Sequence, residues 1–402
     1  MGRPAAAPTL GLLDLGTARI RLLQVRLLDG QMHYAGHVEQ PSQGMRKGAV
    51  VALGEASAGL RQAVAELERQ TGLPLERVYV SLTGAHVRGI SSQAGLALTS
   101  RSREVSREDA RRVLDLARGI HLPADRQTLH VVPQEFVLDH QGGIHEPVGM
   151  LASRLEAKIY AITASAAIKD NLVIAANQAG LEVEELIFAP LAAAEACLAA
   201  EQRQAGVALV DMGAGSTGMV VYQQGSLMQA SVVPVGGDHF TSDIAVGLNT
   251  PLNEAERIKH AFGAVAETWD SATAIEVPNQ GGDEPRLLPQ ARLGECIEPR
   301  AQELVGLIQR ELERRGGLGA GVVVVGGGGR LPGLLDLLSR SSGLPVRIVT
   351  PEPIAGLPTA LIQPEWACLV GACYYAHRLV ARQQHRPSLW DKLRQRWADL
   401  AD

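Results

Sequence analysis

Short apolar runs closed by glycine turns alternate with amphipathic stretches along this chain of 402 residues. Residues 10–13 and 20–25 are predicted strands on either side of a Gly-Thr turn. Ala56, Leu60, Val64 and Leu67 recur at helical spacing and predict a helix over 55–70, with a strand at 79–82 after it. A polar stretch, 100–112, opens into a helix capped near Ser106, where Glu108 and Asp109 suit the first turn. A strand over 128–139 leads to the turn Gln141-Gly142-Gly143, and a helix over 165–179 stops at Gly180. After Pro190 an alanine-rich helix precedes an apolar strand at 207–210.

The second half repeats the layout of the first. Strand 207–210 runs into Asp211-Met212-Gly213-Ala214-Gly215-Ser216 and a strand at 218–222, as 10–13 runs into Asp14-Leu15-Gly16-Thr17 and its partner. Two strand–Asp-x-Gly–strand hairpins, 197 residues apart, imply two similar α/β lobes facing each other. Helices are predicted at 253–262 and 299–315, with a breaker-rich stretch over 278–285. The apolar strand 322–325 enters Gly326-Gly327-Gly328-Gly329, and a helix follows from Leu334. Residues 351–364 are a Pro-rich loop, 365–380 a last packed helix and 381–388 a polar linker.

Composition narrows the class. Hydrophobic residues make up 46% of the chain, which excludes wholesale disorder, and the length implies two or three domains. Four Trp, six Tyr and four Phe against 43 Gly leave a core of Ala, Val, Leu and Ile. A net charge of −5 without a long basic stripe argues against nucleic acid as a partner. Cys197, Cys296, Cys368 and Cys373 form no CxxC pair, which speaks against structural zinc and fits buried thiols in a reducing cytosol. Residues 1–9 lack the apolar segment of a signal peptide, and no apolar run reaches the roughly 18 residues of a spanning helix.

Each Asp-x-Gly turn sets a carboxylate beside backbone N–H groups freed by glycine. That pairing suits a Mg²⁺-nucleotide, with amides and hydroxyls on phosphate oxygens and acids on the metal through water. Gly16, Thr17, Gly213, Gly215 and Ser216 form the candidate cradle, Arg19 the phosphate cation, and Asp14 and Asp211 the metal-facing acids. One such turn is common as an Asx-stabilised hairpin; two, with a third Gly-rich turn at Gly326, Gly327, Gly328 and Gly329, are not. No Walker-type P-loop is present, and no acid stands about 20 residues past the glycine run, so a dinucleotide site fits less well than a nucleoside phosphate shared between lobes. Glu256 and Lys259 share one helix face, which by spacing alone is a surface ion pair.

Two of the four tryptophans fall in the last thirteen residues. Ser388 can cap a helix to about Leu400, on which Leu389, Trp390, Leu393, Trp397 and Leu400 span an arc of about 100°. Such a stripe suits an in-plane membrane anchor as well as a helix docked on protein. Charge over 388–402 cancels and reaches only +2 from residue 382, so insertion leans on Trp and Leu.

These residues resemble the superfamily of actin, heat-shock chaperone and sugar-kinase ATPases, and more narrowly the FtsA family of actin-like bacterial cell-division proteins. The narrower resemblance rests on Gly44-Met45-Arg46-Lys47-Gly48-Ala49-Val50, Ser81-Leu82-Thr83-Gly84-Ala85-His86 and His130-Val131-Val132-Pro133-Gln134-Glu135-Phe136. It rests also on Pro147-Val148-Gly149-Met150, Arg154-Leu155-Glu156, Val235-Gly236-Gly237-Asp238, Thr241-Ser242-Asp243-Ile244 and Ile297-Glu298-Pro299-Arg300. It covers about residues 10–380.

The resemblance implies a two-lobed actin-like (ribonuclease H-like) ATPase fold with an inserted subdomain and a C-terminal amphipathic helix. The implied parts are 9–83 with 162–190 and 365–380, the insert 84–161, 191–239 with 300–364, the outer part 240–299, the linker 381–387 and the membrane-targeting helix 388–402. It places Asp14, Gly16, Thr17 and Arg19 on the first phosphate motif and Asp211, Gly213, Gly215 and Ser216 on the second. Glu256 and Lys259 flank the adenosine, Gly326–Gly329 form its motif, and the cofactors are ATP and Mg²⁺. Arg19 stands where Lys is common, and Gly218 where an acid is common. With Glu195 the lone acid over 191–200, hydrolysis is expected to be weak or tied to polymerisation.

The implied role is to hold filaments of the tubulin-like FtsZ to the cytoplasmic face of the inner membrane at mid-cell. The FtsZ C-terminal peptide would dock on the outer second lobe near Arg300. Copies of the chain would form filaments, and the insert would recruit later division proteins. Two other readings compete: a cytosolic scaffold of type IV pili like PilM, and a small-molecule phosphotransferase.

Overall fold

The computed structural model describes residues 8–99, 102–266, 273–279 and 284–384. Two five-stranded sheets share one layout. In the first, Thr9–Leu15, Arg19–Leu28 and Gln31–Pro41 form an antiparallel meander, and Arg77–Leu82 and Glu182–Phe188 add in parallel on the other side of Thr9–Leu15. In the second, Val207–Met212, Thr217–Gln223 and Ser226–Val233 are the meander, and Val322–Val325 and Val346–Ile348 the parallel additions. The repeat legible in the two hairpins is therefore a repeat of whole sheets. Both central strands are buried on both faces, which is why they read as unbroken apolar runs.

Helix Leu53–Thr71 buries Ala56, Leu60, Val64 and Leu67, the stripe read from spacing, and Gly72 closes it in a left-handed conformation. Helices Ala189–Cys197 and Ala367–Gln384 pack together between the sheets. A Cβ on Gly371 would stand 1.9 Å from the Ala192 carbonyl oxygen, so only small residues permit this crossing. The alanine run is a close-packing surface.

The insert has its own sheet, in the order Gln141–Ile144, Arg126–Leu138, Arg154–Ser165, Arg88–Ala97. Helix Arg107–Arg118 covers it over a core of Val105, Val113, Ala117, Leu138, Leu155 and Ile159. Ser106 caps that helix: the Asp109 N–H donates to its hydroxyl at 3.1 Å, and its own N–H donates back to Asp109 Oδ2 at 2.9 Å.

Side chains of the insert also cover the edge strand of the second sheet. The Gln134 amide donates to the Leu227 carbonyl at 2.7 Å, and the Ala230 N–H donates to the Tyr160 hydroxyl at 3.0 Å. His130 Nε2 accepts the Phe188 N–H at 2.9 Å, which leaves Nδ1 to carry the proton toward the Tyr375 hydroxyl at 3.1 Å. Burial lowers that imidazole to about 4, so it is neutral.

Several expectations are corrected. The turn after Arg126–Leu138 is at Asp139 and His140, both at positive φ, two residues before the Gly-Gly pair. The helix expected from Pro299 begins at Ala291 and carries Pro299 inside, because burial of Leu293 and Ile297 outweighs one lost backbone hydrogen bond. The last helix runs to Gln384, so 381–384, expected as linker, is helical. Gly327–Arg330 forms a 3₁₀ turn, and the helix expected from Leu334 does begin there. The anchor stripe of Leu389, Trp390, Leu393, Trp397 and Leu400 lies outside the described residues.

Candidate functional site

Both hairpins fold the same way locally. The Gly16 N–H donates to the Arg19 carbonyl and the Gly213 N–H to the Ser216 carbonyl, each at 3.0 Å. Asp14 pairs with Arg21 across its hairpin, and Asp211 pairs with Gly218 across the other. The tips come together. A Cβ on Gly215 would sit 2.5 Å from Thr17 Oγ1 and 2.9 Å from Lys47 Cα, so only glycine allows the approach. Thr17 Oγ1 also accepts the Gly48 N–H at 3.1 Å.

The third glycine run closes the floor. Gly326 has φ +83°, and a Cβ there would stand 2.5 Å from the Met212 carbonyl oxygen and 2.6 Å from Asp211 Oδ1. Gly326, Gly327 and Gly328 line the resulting cavity of about 520 Å³, together with Asp14, Gly16, Thr17, Arg19, Asp211, Gly213, Gly215, Ser216, Glu256 and Lys259. Gly329 does not line it; a Cβ there would meet Val324 Cγ1 at 2.7 Å. Arg300 lies elsewhere, in a fork with Asp243 at 2.7 and 3.0 Å and with Glu303 as a further partner.

Glu256 and Lys259 do form an ion pair, at 2.6 Å, and it faces the cavity. Lys259 Nζ also donates to Thr241 Oγ1 at 2.8 Å and the Gly237 carbonyl at 3.2 Å, which ties two helices of the second lobe together. Burial pushes the Glu256 carboxyl up, but hydrogen bonds from Lys259 and Thr241 outweigh it and hold it below the usual carboxylate range.

Sequence reading missed the groups that hold the two acids. Ser81 Oγ donates to Asp14 Oδ1 at 2.9 Å, and Arg21 stands 3.7 Å from Asp14 Oδ2 while bridging to Glu39 at 2.9 Å. Arg21 also lies over the Trp366 ring. Asp211 Oδ2 accepts the Cys368 thiol at 3.2 Å. Arg21 was within reach of the sequence, since the residue seven after an Asp faces it across a four-residue hairpin turn. Ser81 and Cys368 come from other strands and helices, and no local signal marks them.

Burial raises the Asp14 carboxyl against the opposing pull of Arg21 and Ser81. Burial also pushes Asp211 up to about 6, with the Cys368 hydrogen bond opposing and the Asp14 charge adding. A half-buried carboxylate, Asp14, and a buried one, Asp211, from opposite lobes and beside glycine N–H groups, form a donor set that fits a hydrated divalent cation carrying phosphate. Among the described residues no group of three or more His, Cys, Asp or Glu stands at metal-holding distance, so such a cation would keep water or phosphate in its shell.

Solved structures share this architecture. The PilM–PilN type IV pilus biogenesis complex matches with a TM-score of 0.66 and 21% identity, over 93% of this chain and 99% of that one. MreB5 of Spiroplasma citri bound to ADP matches with a TM-score of 0.55 and 13% identity, over 94% and 98%. At such identities the likeness concerns the fold alone, and that fold is the actin-like ATPase fold.

The family model for Cell division protein FtsA matches residues 208–371, and that for the SHS2 domain inserted in FTSA matches 84–163. Cell division protein FtsA of Pseudomonas aeruginosa is 35% identical over 368 residues, 90% of this chain and 88% of that one. The Escherichia coli K12 protein is 35% identical over 375 residues, 90% and 89%, and the Bacillus subtilis protein 31% over 369, 91% and 83%. The chain belongs to the FtsA family of actin-like cell-division proteins. PilM remains a structural neighbour only.

Proposed function

We propose that the chain is an ATP-binding, filament-forming tether that holds FtsZ to the cytoplasmic face of the inner membrane at mid-cell. The observation that supports it best is the convergence of both Asp-Gly hairpins and the third glycine turn on one cavity, in a member of the FtsA family. Asp14 and Asp211 would hold Mg²⁺ through water, and Gly16, Thr17, Gly213, Gly215 and Ser216 the phosphates, with Arg19 as counter-charge. Glu256, Lys259 and Gly326–Gly328 would flank the adenosine. Glu195 is tied to Arg378 at 2.7 Å and Arg203 at 3.7 Å, which favours weak hydrolysis because this acid is engaged elsewhere.

The outer part of the second lobe, 240–299 with Arg300, would take the FtsZ C-terminal peptide. Since Arg300 already holds Asp243, an acidic peptide group would have to share or displace that fork. The insert, 84–161, would meet later division proteins, and the 388–402 stripe of Leu389, Trp390, Leu393, Trp397 and Leu400 would enter lipid. Co-sedimentation of the full chain with anionic liposomes and FtsZ, with and without MgATP, tests the reading. Recruitment of FtsZ to lipid, lost on deletion of 388–402 while ATP binding survives, is expected. Lipid binding by the truncated chain would overturn the anchor, and no recruitment in any nucleotide state would overturn the tether.

A further inference from the structure

The two hairpins are alike in backbone and unlike in what restrains their acids. In the first sheet, Asp14 faces Arg21 across the hairpin and Ser81 on the neighbouring parallel strand, and both contact its carboxylate. The same two places in the second sheet hold Gly218 and Val325, neither of which can donate from a side chain. Asp211 nevertheless sits on the cavity wall and is buried. Its side-chain donor is the thiol of Cys368, in the first turn of helix Ala367–Gln384. That helix packs on the first sheet, against Leu10, Leu12, Leu23 and Val25, so the hydrogen bond crosses from one lobe to the other. On the carboxylate's other side stands Gly326, whose missing Cβ leaves room for Oδ1.

We infer that Cys368 is the positioning residue for Asp211: its S–H fixes the rotamer that turns the carboxylate toward a hydrated divalent cation on the bound nucleotide. This rests on the nucleotide reading above. Cys368 stands on the cavity lining with its thiol on Asp211, and takes the part that Ser81 and Arg21 take for Asp14. Gly218 cannot be replaced by a donor, because a Cβ there would meet Pro190 Cγ at 2.5 Å. The restraint must therefore come from outside the second sheet.

Binding of ATP to the full chain, measured by calorimetry in excess Mg²⁺ and again in EDTA, tests this. Cys368→Ala, and Cys368→Val as a donor-less variant that fills the space, should each bind ATP about fivefold more weakly in Mg²⁺. Both should match the wild type in EDTA. Cys368→Ser should keep the Mg²⁺ response. Equal affinity of the wild type and both donor-less variants in Mg²⁺ overturns the inference, as does an equal loss in EDTA, which would mark a packing role. No ATP binding by the wild type sinks the nucleotide reading, and the inference with it.

Discussion

The hairpins at Asp14 and Asp211 share a turn, a glycine and a register, yet their acids live in different surroundings. Asp14 is held by charge: Arg21, itself anchored on Glu39, stands beside it. Asp211 is held by a neutral thiol and faces a glycine. The repeat therefore preserves the backbone that presents the acids while changing what steadies them. The Arg21 charge contacts one acid and reaches the other only at a distance, so Asp211 is left more dependent on charge from a ligand.

Substitutions that make one hairpin resemble the other test that contrast. The largest effect is expected from Gly218→Glu, which adds a charged side chain where Pro190 Cγ stands 2.5 Å from the Cβ. Overpacking with a buried charge should cost about 3 kcal/mol or more in denaturant unfolding. A midpoint equal to that of the wild type would show that Pro190 can move aside.

Asp211 comes next. Its folded value lies near 6, above the ordinary 3.8, so protonation favours the folded chain. Stability from this group is greatest below about pH 4 and falls as pH rises toward 6. Asp211→Asn should abolish that slope, leaving it more stable than the wild type at pH 7 by on the order of 2–3 kcal/mol without ligand. Parallel stability curves for the two proteins between pH 4 and 7 would refute it.

Arg21→Ala strips the first hairpin of its charge and should cost about 2 kcal/mol, since Asp14 and Glu39 lose their shared partner. A loss confined to a few tenths would mean that Ser81 alone suffices. Gln134→Ala, which removes one bond between insert and second sheet, should cost about 1 kcal/mol, read by the same unfolding curves. A cost near zero would mean that the edge strand finds water as readily.

Much of this is legible in the sequence. The helical stripe at Ala56, Leu60, Val64 and Leu67, the Ser106 cap and both Asp-x-Gly turns are local patterns, and local sterics decide them. Less legible were strands such as Gln31–Pro41 and Arg88–Ala97, whose alternation is broken by polar positions that meet other elements. The interior proline of helix Ala291–Glu313 misled for a related reason, because packing of Leu293 and Ile297 overrides a local penalty. Arg300 was legible as a cation but not as one already held by Asp243.

The order of residues alone established two acids on glycine turns, 197 positions apart, and a family to which they belong. It could not say that Ser81 would steady one acid and Cys368 the other, or that Pro190 would forbid a side chain at 218. Those outcomes depend on which strands become parallel neighbours and which helix lies between lobes. Such contacts join residues far apart in the chain, with no periodicity to announce them, and they arise only when the two cores close on each other.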